Sequence, residues 1–251
     1  MPVASYAGPS GYTPFSLSIY DAYVLRFSVP IYWGCSTKKD LRPLFSDNFS
    51  KKHIDIGVGT GYFLAEAIQD ARRDPRDQHV TLVDFSEHSL AAARERVLSR
   101  LPDVDMRCIL ANAGEPLPES LRNEEFDSAS LFLILHCMPG PTTSKARAIT
   151  NAKSLLTSHG VLVGCTVLGK QWEKTDGGYV VKDEKPQGML AGFALRLYNK
   201  QGIFDNMQDD PNVLVEALKA EFEEVETRVV ALMFMFRASK PLTDGQSAPR
   251  G

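Results

Sequence analysis

From about Lys52 onward, apolar and polar positions alternate between two rhythms. His53-Ile54-Asp55-Ile56 and Val80-Thr81-Leu82-Val83 are short runs rich in β-branched residues; the first ends in glycines and the second in Asp84. After each comes a helical spacing, with Leu64, Ala67, Ile68 and Ala71 in one, and Leu90, Ala93, Val97 and Leu98 behind the capping residue Ser86 in the other. Met106–Leu110 reads as a third strand, and Asp127–Leu133 as a fourth whose near-continuous apolarity suits cover on both faces. The spacing predicts a helix over Lys145–Thr157, stopped by His159-Gly160, and a fifth strand over Val161–Val167. Strands alternating with helices imply right-handed βαβ units around a parallel sheet.

The rhythm changes after the fifth strand. Between Gly169 and Asp210 only Met189–Tyr198 has helical spacing. A helix at Val213–Phe222 and two strands at Val225–Val230 and Leu232–Phe236 follow, so close together that a tight antiparallel hairpin is required. The tail Pro241–Gly251, rich in Pro, Ser and Gly, reads as a flexible end.

Composition narrows the class. The 251 residues carry 28 Lys+Arg against 31 Asp+Glu, a net charge of −3, which is too little positive charge for duplex nucleic acid as a main partner. The N-terminus has neither the basic nor the apolar region of a signal peptide, and no apolar run reaches the ~18–20 residues that span a bilayer. Cys35, Cys108, Cys137 and Cys165 lie far apart without a metal-ligand spacing, as in a reduced cytoplasmic protein without a metal site. A small-molecule partner and no membrane are the expectation; the oligomeric state is left open.

The chemistry concentrates at Asp55-Ile56-Gly57-Val58-Gly59-Thr60-Gly61. Glycines here let a strand turn sharply into a helix and let a ligand approach bare main chain. The dinucleotide fingerprint would place its third glycine at position 62, where Tyr62 stands, and no Lys-Ser/Thr follows to make a P-loop. Asp84 lies 27 residues after Gly57 at the tip of the second strand, the position of an acid that binds ribose hydroxyls in doubly wound folds.

Read together and in order, HIDIGVGTGYF, LVDFSEHSL, ANAGEPLP, FDSASLFLILHCMP and SHGVLVGCTV resemble the class I S-adenosylmethionine-dependent methyltransferases, most closely the small-molecule enzymes of microbial or fungal secondary metabolism. The resemblance covers Lys51 to Lys240. It implies an α/β, Rossmann-like seven-stranded sheet of order 3-2-1-4-5-7-6 with strand 7 antiparallel, helices on both faces and an N-terminal helical lid. Residues 1–50 would form the lid segment, 51–240 the catalytic domain and 241–251 the tail. S-adenosyl-L-methionine would be the cofactor and S-adenosyl-L-homocysteine its product. Gly57, Gly59 and Gly61 would lie under the methionine part, with Asp55 holding its amino end. Asp84 would take the ribose diol, with Phe85 beside the adenine. Asn112, where the family commonly has Asp, and Ala113 would touch the adenine rim, and Leu131 and Phe132 would line the pocket near the methyl group. The nucleobase-methylating Asn/Asp-Pro-Pro-Tyr/Phe signature is replaced here by Leu131-Phe132-Leu133-Ile134.

Methyl transfer from a sulfonium needs in-line positioning, a dry pocket and, for weak nucleophiles, proton removal. His136, at the end of the fourth strand, is the candidate general base for a hydroxyl acceptor. Thr13–Trp33 is dense in aromatics. Tyr20 is read as a lid contact to the cofactor carboxylate, Tyr23 as a second lid contact and Trp33 as a pocket wall. Phe193 and Tyr198, with other aromatic and methionine residues after the fifth strand, would face a planar or polyketide-like substrate, and Arg196, Asn199 and Asn206 a polar group on it. The expected activity is methylation of a small, largely apolar metabolite at oxygen. The alternatives are a carbon or nitrogen acceptor, or a cofactor-binding protein that transfers no methyl group.

Overall fold

The computed structural model describes residues 29–186 and 188–243. A short helix α1 (Arg42–Ser46) leads into β1 (Lys52–Ile56). Crossovers then run through α2 (Tyr62–Ala71) to β2 (His79–Asp84), α3 (Glu87–Arg100) to β3 (Asp105–Leu110) and α4 (Glu119–Arg122) to β4 (Phe126–Phe132). Helices α5 (Thr142–Lys145) and α6 (Arg147–Lys153) lead to β5 (Leu156–Val167). A hairpin of β6 (Gln171–Thr175) and β7 (Gly178–Asp183) is followed by α7 (Met189–Lys200), α8 (Pro211–Glu221), β8 (Phe222–Val230) and β9 (Met233–Pro241).

Seven strands form one sheet in the order β3-β2-β1-β4-β5-β9-β8. Strands β1 to β5 are parallel to one another, and β9 lies antiparallel between β5 and β8. Counting only the strands of this sheet, the order is the expected one, with the closing hairpin as its last two members. Its turn falls at Ala231, whose φ of 50° is unusual for a residue with a side chain. One core layer packs Leu64, Ala67, Leu90 and Val97 of the crossover helices against one face; the other packs Leu121, Ile149, Leu214 and Leu218 against the opposite face. Both faces of β4 are thus covered, which is why its sequence is apolar almost throughout.

Two expectations change. The stretch after β5 contains the two-stranded β6–β7 sheet, whose turn carries Asp176-Gly177, a strong hairpin signal that the charged residues around it obscured. There Tyr179 is buried, donates to Thr227 Oγ1 at 3.0 Å and packs on Phe234, so it serves the fold rather than a substrate. The helix expected over Lys145–Thr157 is two short helices ending at Lys153, because Leu156 already pairs with Phe126 of β4. Within the described part of the leading segment, Val29, Trp33, Leu41, Phe45 and Phe49 are buried in the first core layer. Residues 1–28, with the proposed lid contacts Tyr20 and Tyr23, lie outside the described residues, as do residues 244–251 of the tail.

A buried ion pair locks the region after β5 to the core. Lys145 Nζ, 0% exposed, sits 2.7 Å from Asp209 Oδ1, and Thr142 Oγ1 donates to the same carboxylate. Asn199 and Asn206 bond to each other, and Asn206 Nδ2 donates to Val167 O at 2.8 Å, so these amides hold α7 to β5 and are not free for a substrate.

Candidate functional site

The connection after β1 runs to β2 on one side and the connection after β4 runs to β5 on the other, so a crevice opens at the carboxyl ends of the adjacent strands β1 and β4. The glycine loop lies over it. The N–H groups of Gly57 and Val58 both donate to Val83 O, at 2.7 and 3.2 Å, pulling the loop across the end of β2. All three loop glycines have positive φ: 77°, 54° and 68° at Gly57, Gly59 and Gly61. Their surroundings separate their roles. A Cβ on Gly57 would lie 2.3 Å from Ile134 Cδ1, and one on Gly61 would lie 3.0 Å from Ala93 of α3. The first glycine therefore admits the end of β4 and the third admits a helix. Only Gly59 has nothing within 4 Å of its Cβ position, and there the main chain is bare to a ligand.

Two carboxyl groups stand beside that opening. Asp84, buried at the end of β2, accepts from Gly59 N at 3.0 Å and Ser86 N at 2.9 Å. Burial raises its pKa, and the N–H groups of Gly59, Ser86 and Phe85 oppose the rise. Asp55, also buried, accepts from Ser130 Oγ at 2.6 Å through Oδ1. Burial pushes its pKa up to about 7, against the Ser130 hydrogen bond and with help from the Asp84 charge. Bare main chain flanked by two acids is a donor set for a ligand that carries a cation and hydroxyl groups, as S-adenosylmethionine does. Phe85 and Leu110 stand 51% and 53% exposed at the adjacent ends of β2 and β3, an apolar wall beside Asp84. Leu110 was not anticipated; its place as the register partner of Asp84 is a property of the sheet. Asn112 is exposed, with Oδ1 accepting from Gly114 N at 3.0 Å, and Ala113 is buried below it, its carbonyl held by Asn151 Nδ2.

At the end of β4, Leu133 adopts a φ of 56° and turns the chain so that Ile134 fills the space beside Gly57. Phe132 packs edge-on against Phe45 and beside Phe63, and Leu131 is wholly enclosed in the opposite core layer. Neither offers the open surface expected of a pocket lining. His136 follows in a short turn and is 4% exposed. Its Nδ1 accepts from Val167 N at 3.2 Å, with Thr166 Oγ1 at the same distance, so the ring hydrogen is on Nε2. Burial, then the nearby Lys145 cation, lowers its pKa to about 3. A neutral ring whose accepting nitrogen is occupied is a hydrogen-bond donor through Nε2, which corrects the reading of His136 as a general base. Behind it, Phe204 stacks edge-on at 4.3 Å and meets Trp33 and Tyr198 at 5.8 and 5.0 Å. Trp33 and Tyr198 thus do come together, whereas Phe193, 67% exposed on α7, joins no ring contact among the described residues.

These placements separate the glycines by stability. Gly57→Ala adds a clash with Ile134 to the left-handed strain and is expected to cost roughly 2–5 kcal/mol, against about 1–2 kcal/mol for Gly59→Ala, as read by urea unfolding. Equal losses would show that Ile134 yields freely. His136 gives a pH test. Its folded pKa lies below the unfolded value of 6.5, so its contribution is complete above that pH and is lost as pH falls towards 3. Between about pH 4 and 6 the stability of His136→Asn should fall less steeply than that of the native chain by one proton, roughly 1.4 kcal/mol per pH unit. Identical slopes would contradict a buried neutral ring.

Comparison with known proteins agrees with this geometry. Residues 48–189 match the family model for the methyltransferase domain. The chain is 37% identical to O-methyltransferase NEC2 of Pyricularia oryzae, over 93% of this chain and 92% of that protein. It is 39% identical to the physcion biosynthesis cluster O-methyltransferase of Aspergillus chevalieri, over 92% of this chain and 93% of that one. Among solved structures, an O-methyltransferase family protein from Burkholderia thailandensis shares the fold with a TM-score of 0.59 at 14% identity, covering 90% of this chain and 59% of that chain. With its glycine loop, acid-flanked crevice and sheet order, this chain belongs to the S-adenosylmethionine-dependent methyltransferase family.

Proposed function

We propose that the chain moves the methyl group of S-adenosylmethionine to an acidic hydroxyl oxygen of a small, largely apolar metabolite, in a cytoplasmic secondary-metabolic reaction without a nucleic-acid partner. The observation that carries this reading is the crevice itself, where bare main chain at Gly59 meets the buried carboxyl groups of Asp55 and Asp84. The names of the two fungal relatives, both O-methyltransferases along nearly their whole length, support oxygen as the acceptor atom. Among the described residues no helix is long and apolar enough to cross a membrane.

S-adenosylmethionine supplies an electrophilic methyl carbon on a sulfonium, so the protein's own work is to bind, orient and exclude water. Asp84 accepts from the ribose hydroxyls while it holds Gly59. Phe85 and Leu110 flank the adenine, and Asn112 meets its edge with the amide hydrogen left beyond its bonds to Gly114 and Glu115. Asp55 faces the amino end. On the acceptor side His136 offers its Nε2–H to the attacking oxygen, and Trp33, Tyr198 and Phe204 form the apolar wall behind it. A donor there stabilises an oxygen that already bears negative charge, which is why the acceptor is an acidic hydroxyl, such as a phenol or enol, rather than an alcohol.

Incubation of the full chain with methyl-labelled cofactor and a graded set of phenols, enols, alcohols and amines tests this. Label should enter methoxy groups, faster for more acidic hydroxyls. Transfer to carbon or nitrogen alone, or equal rates for alcohols and phenols, would overturn it.

A further inference from the structure

Beneath the glycine loop, four buried polar side chains cross the centre of a sheet face otherwise lined by Phe45, Phe49, Phe63 and Phe132. His53 and Asp55 lie on β1, and their register partners Ser128 and Ser130 on β4. Ser50 N donates to Ser128 Oγ at 3.0 Å, and Ser128 Oγ lies 2.7 Å from His53 Nδ1. His53 Nε2 lies 3.1 Å from Ser130 Oγ, which donates to Asp55 Oδ1 at 2.6 Å. The four residues are 0–4% exposed.

The chain has a direction. An ionised Asp55 can only accept, so Ser130 spends its hydrogen on it, the ring hydrogen of His53 sits on Nε2 facing Ser130, and Nδ1 accepts the hydroxyl hydrogen of Ser128, which itself accepts from Ser50 N–H. With Asp55 ionised every hydrogen has an acceptor. A proton on Oδ1 would turn the chain round and leave the Ser128 hydroxyl hydrogen with none, and a proton on Oδ2 would keep the chain in place but weaken the bond from Ser130, which favours the charged carboxylate. Asp55 Oδ2, by contrast, accepts nothing from the described residues and is not among the sealed polar atoms. The relay therefore occupies one oxygen, fixes the plane of the carboxylate and leaves the other oxygen to a ligand.

We propose that His53, Ser128 and Ser130 are positioning residues for Asp55, forming a relay that keeps its carboxylate ionised and its free oxygen presented to the α-ammonium group of the bound cofactor. This rests on the methyltransferase reading of the crevice. The groups facing Asp55 are Asp84 on β2, whose charge works against ionisation, and His53 beside it on β1; β4 contributes only the two serines. Arg73 lies behind His53, and with burial it drives that ring's pKa down to about 3, so the ring stays neutral and in one tautomer.

Calorimetry with two probes tests the relay: S-adenosylhomocysteine, which carries the amino-acid end, and 5′-methylthioadenosine, which lacks it. For the native chain, affinity for the first should fall on acidification relative to the second, with the ratio of the two turning near the Asp55 value of about 7. Ser130→Ala should raise the midpoint by about one pH unit, weakening S-adenosylhomocysteine about eightfold at pH 6.5 without changing methylthioadenosine. Ser130→Thr keeps the hydroxyl and should stay within about twofold of the native chain. If Ser130→Ala does not fold, His53→Phe, which fits among Phe45 and Phe49, should shift the midpoint the same way by a smaller amount. An unchanged S-adenosylhomocysteine profile in the folded variant, or equal loss for both probes, would overturn the relay alone. A native chain that binds neither probe would overturn the site reading with it.

Discussion

At the end of β2 the carboxylate of Asp84 accepts the N–H of Gly59, which belongs to the loop above β1, and the N–H of Ser86, which opens α3. This one buried group ties the ends of two parallel strands and the start of a helix, and the rest of the functional end is arranged around it. Val83 O takes two further N–H groups from the loop, so the loop is drawn over β2 from both sides. Ile134 then closes the other flank by occupying the volume that a side chain at Gly57 would need. The crevice is thus preorganised by contacts that exist without any ligand, which lowers the ordering cost of binding.

The same sheet face carries a second polar system that the fold alone does not require. Apolar residues at Ser128 and Ser130 would suit a strand covered on both sides, and His53 and Asp55 are poor choices for a sheet centre on hydrophobic grounds. Their burial is tolerable because each hydroxyl, ring nitrogen and carboxylate oxygen in the chain finds a partner, except the one oxygen of Asp55 that looks outward. On the acceptor side burial acts differently. His136, kept neutral and bonded to the strand β5 backbone, works through geometry rather than through proton capture, and Lys145 with Asp209 holds the surrounding turns in place.

Much of this was legible in the sequence. The spacing from Gly57 to Asp84, the helical faces around Leu64 and Leu90 and the crowding of the last two strands carry the sheet order, since each follows from local periodicity. The glycine loop and Asp84 were legible for the same reason. What escaped depends on register between distant segments. Leu110 lies beside Asp84 only because β3 pairs with β2, and Ser130 reaches Asp55 only because β4 pairs with β1. His136 looked like a base because the chain places it correctly, but its protonation state is set by Val167 and Lys145, which no local pattern connects to it. The β6–β7 hairpin was readable from Asp176-Gly177 and was masked by charge.

Asp84 serves loop and ligand at once, and the isosteric Asp84→Asn substitution tests this most directly, since an amide oxygen can still accept from Gly59 while the charge and the bond from Ser86 to the other oxygen are lost. Calorimetric titration with S-adenosylhomocysteine should show binding weakened roughly 10- to 150-fold, the worth of charge-assisted hydrogen bonds, with the fold intact by circular dichroism. Native affinity in Asp84→Asn would show that the Asp84 carboxylate does not hold the ligand.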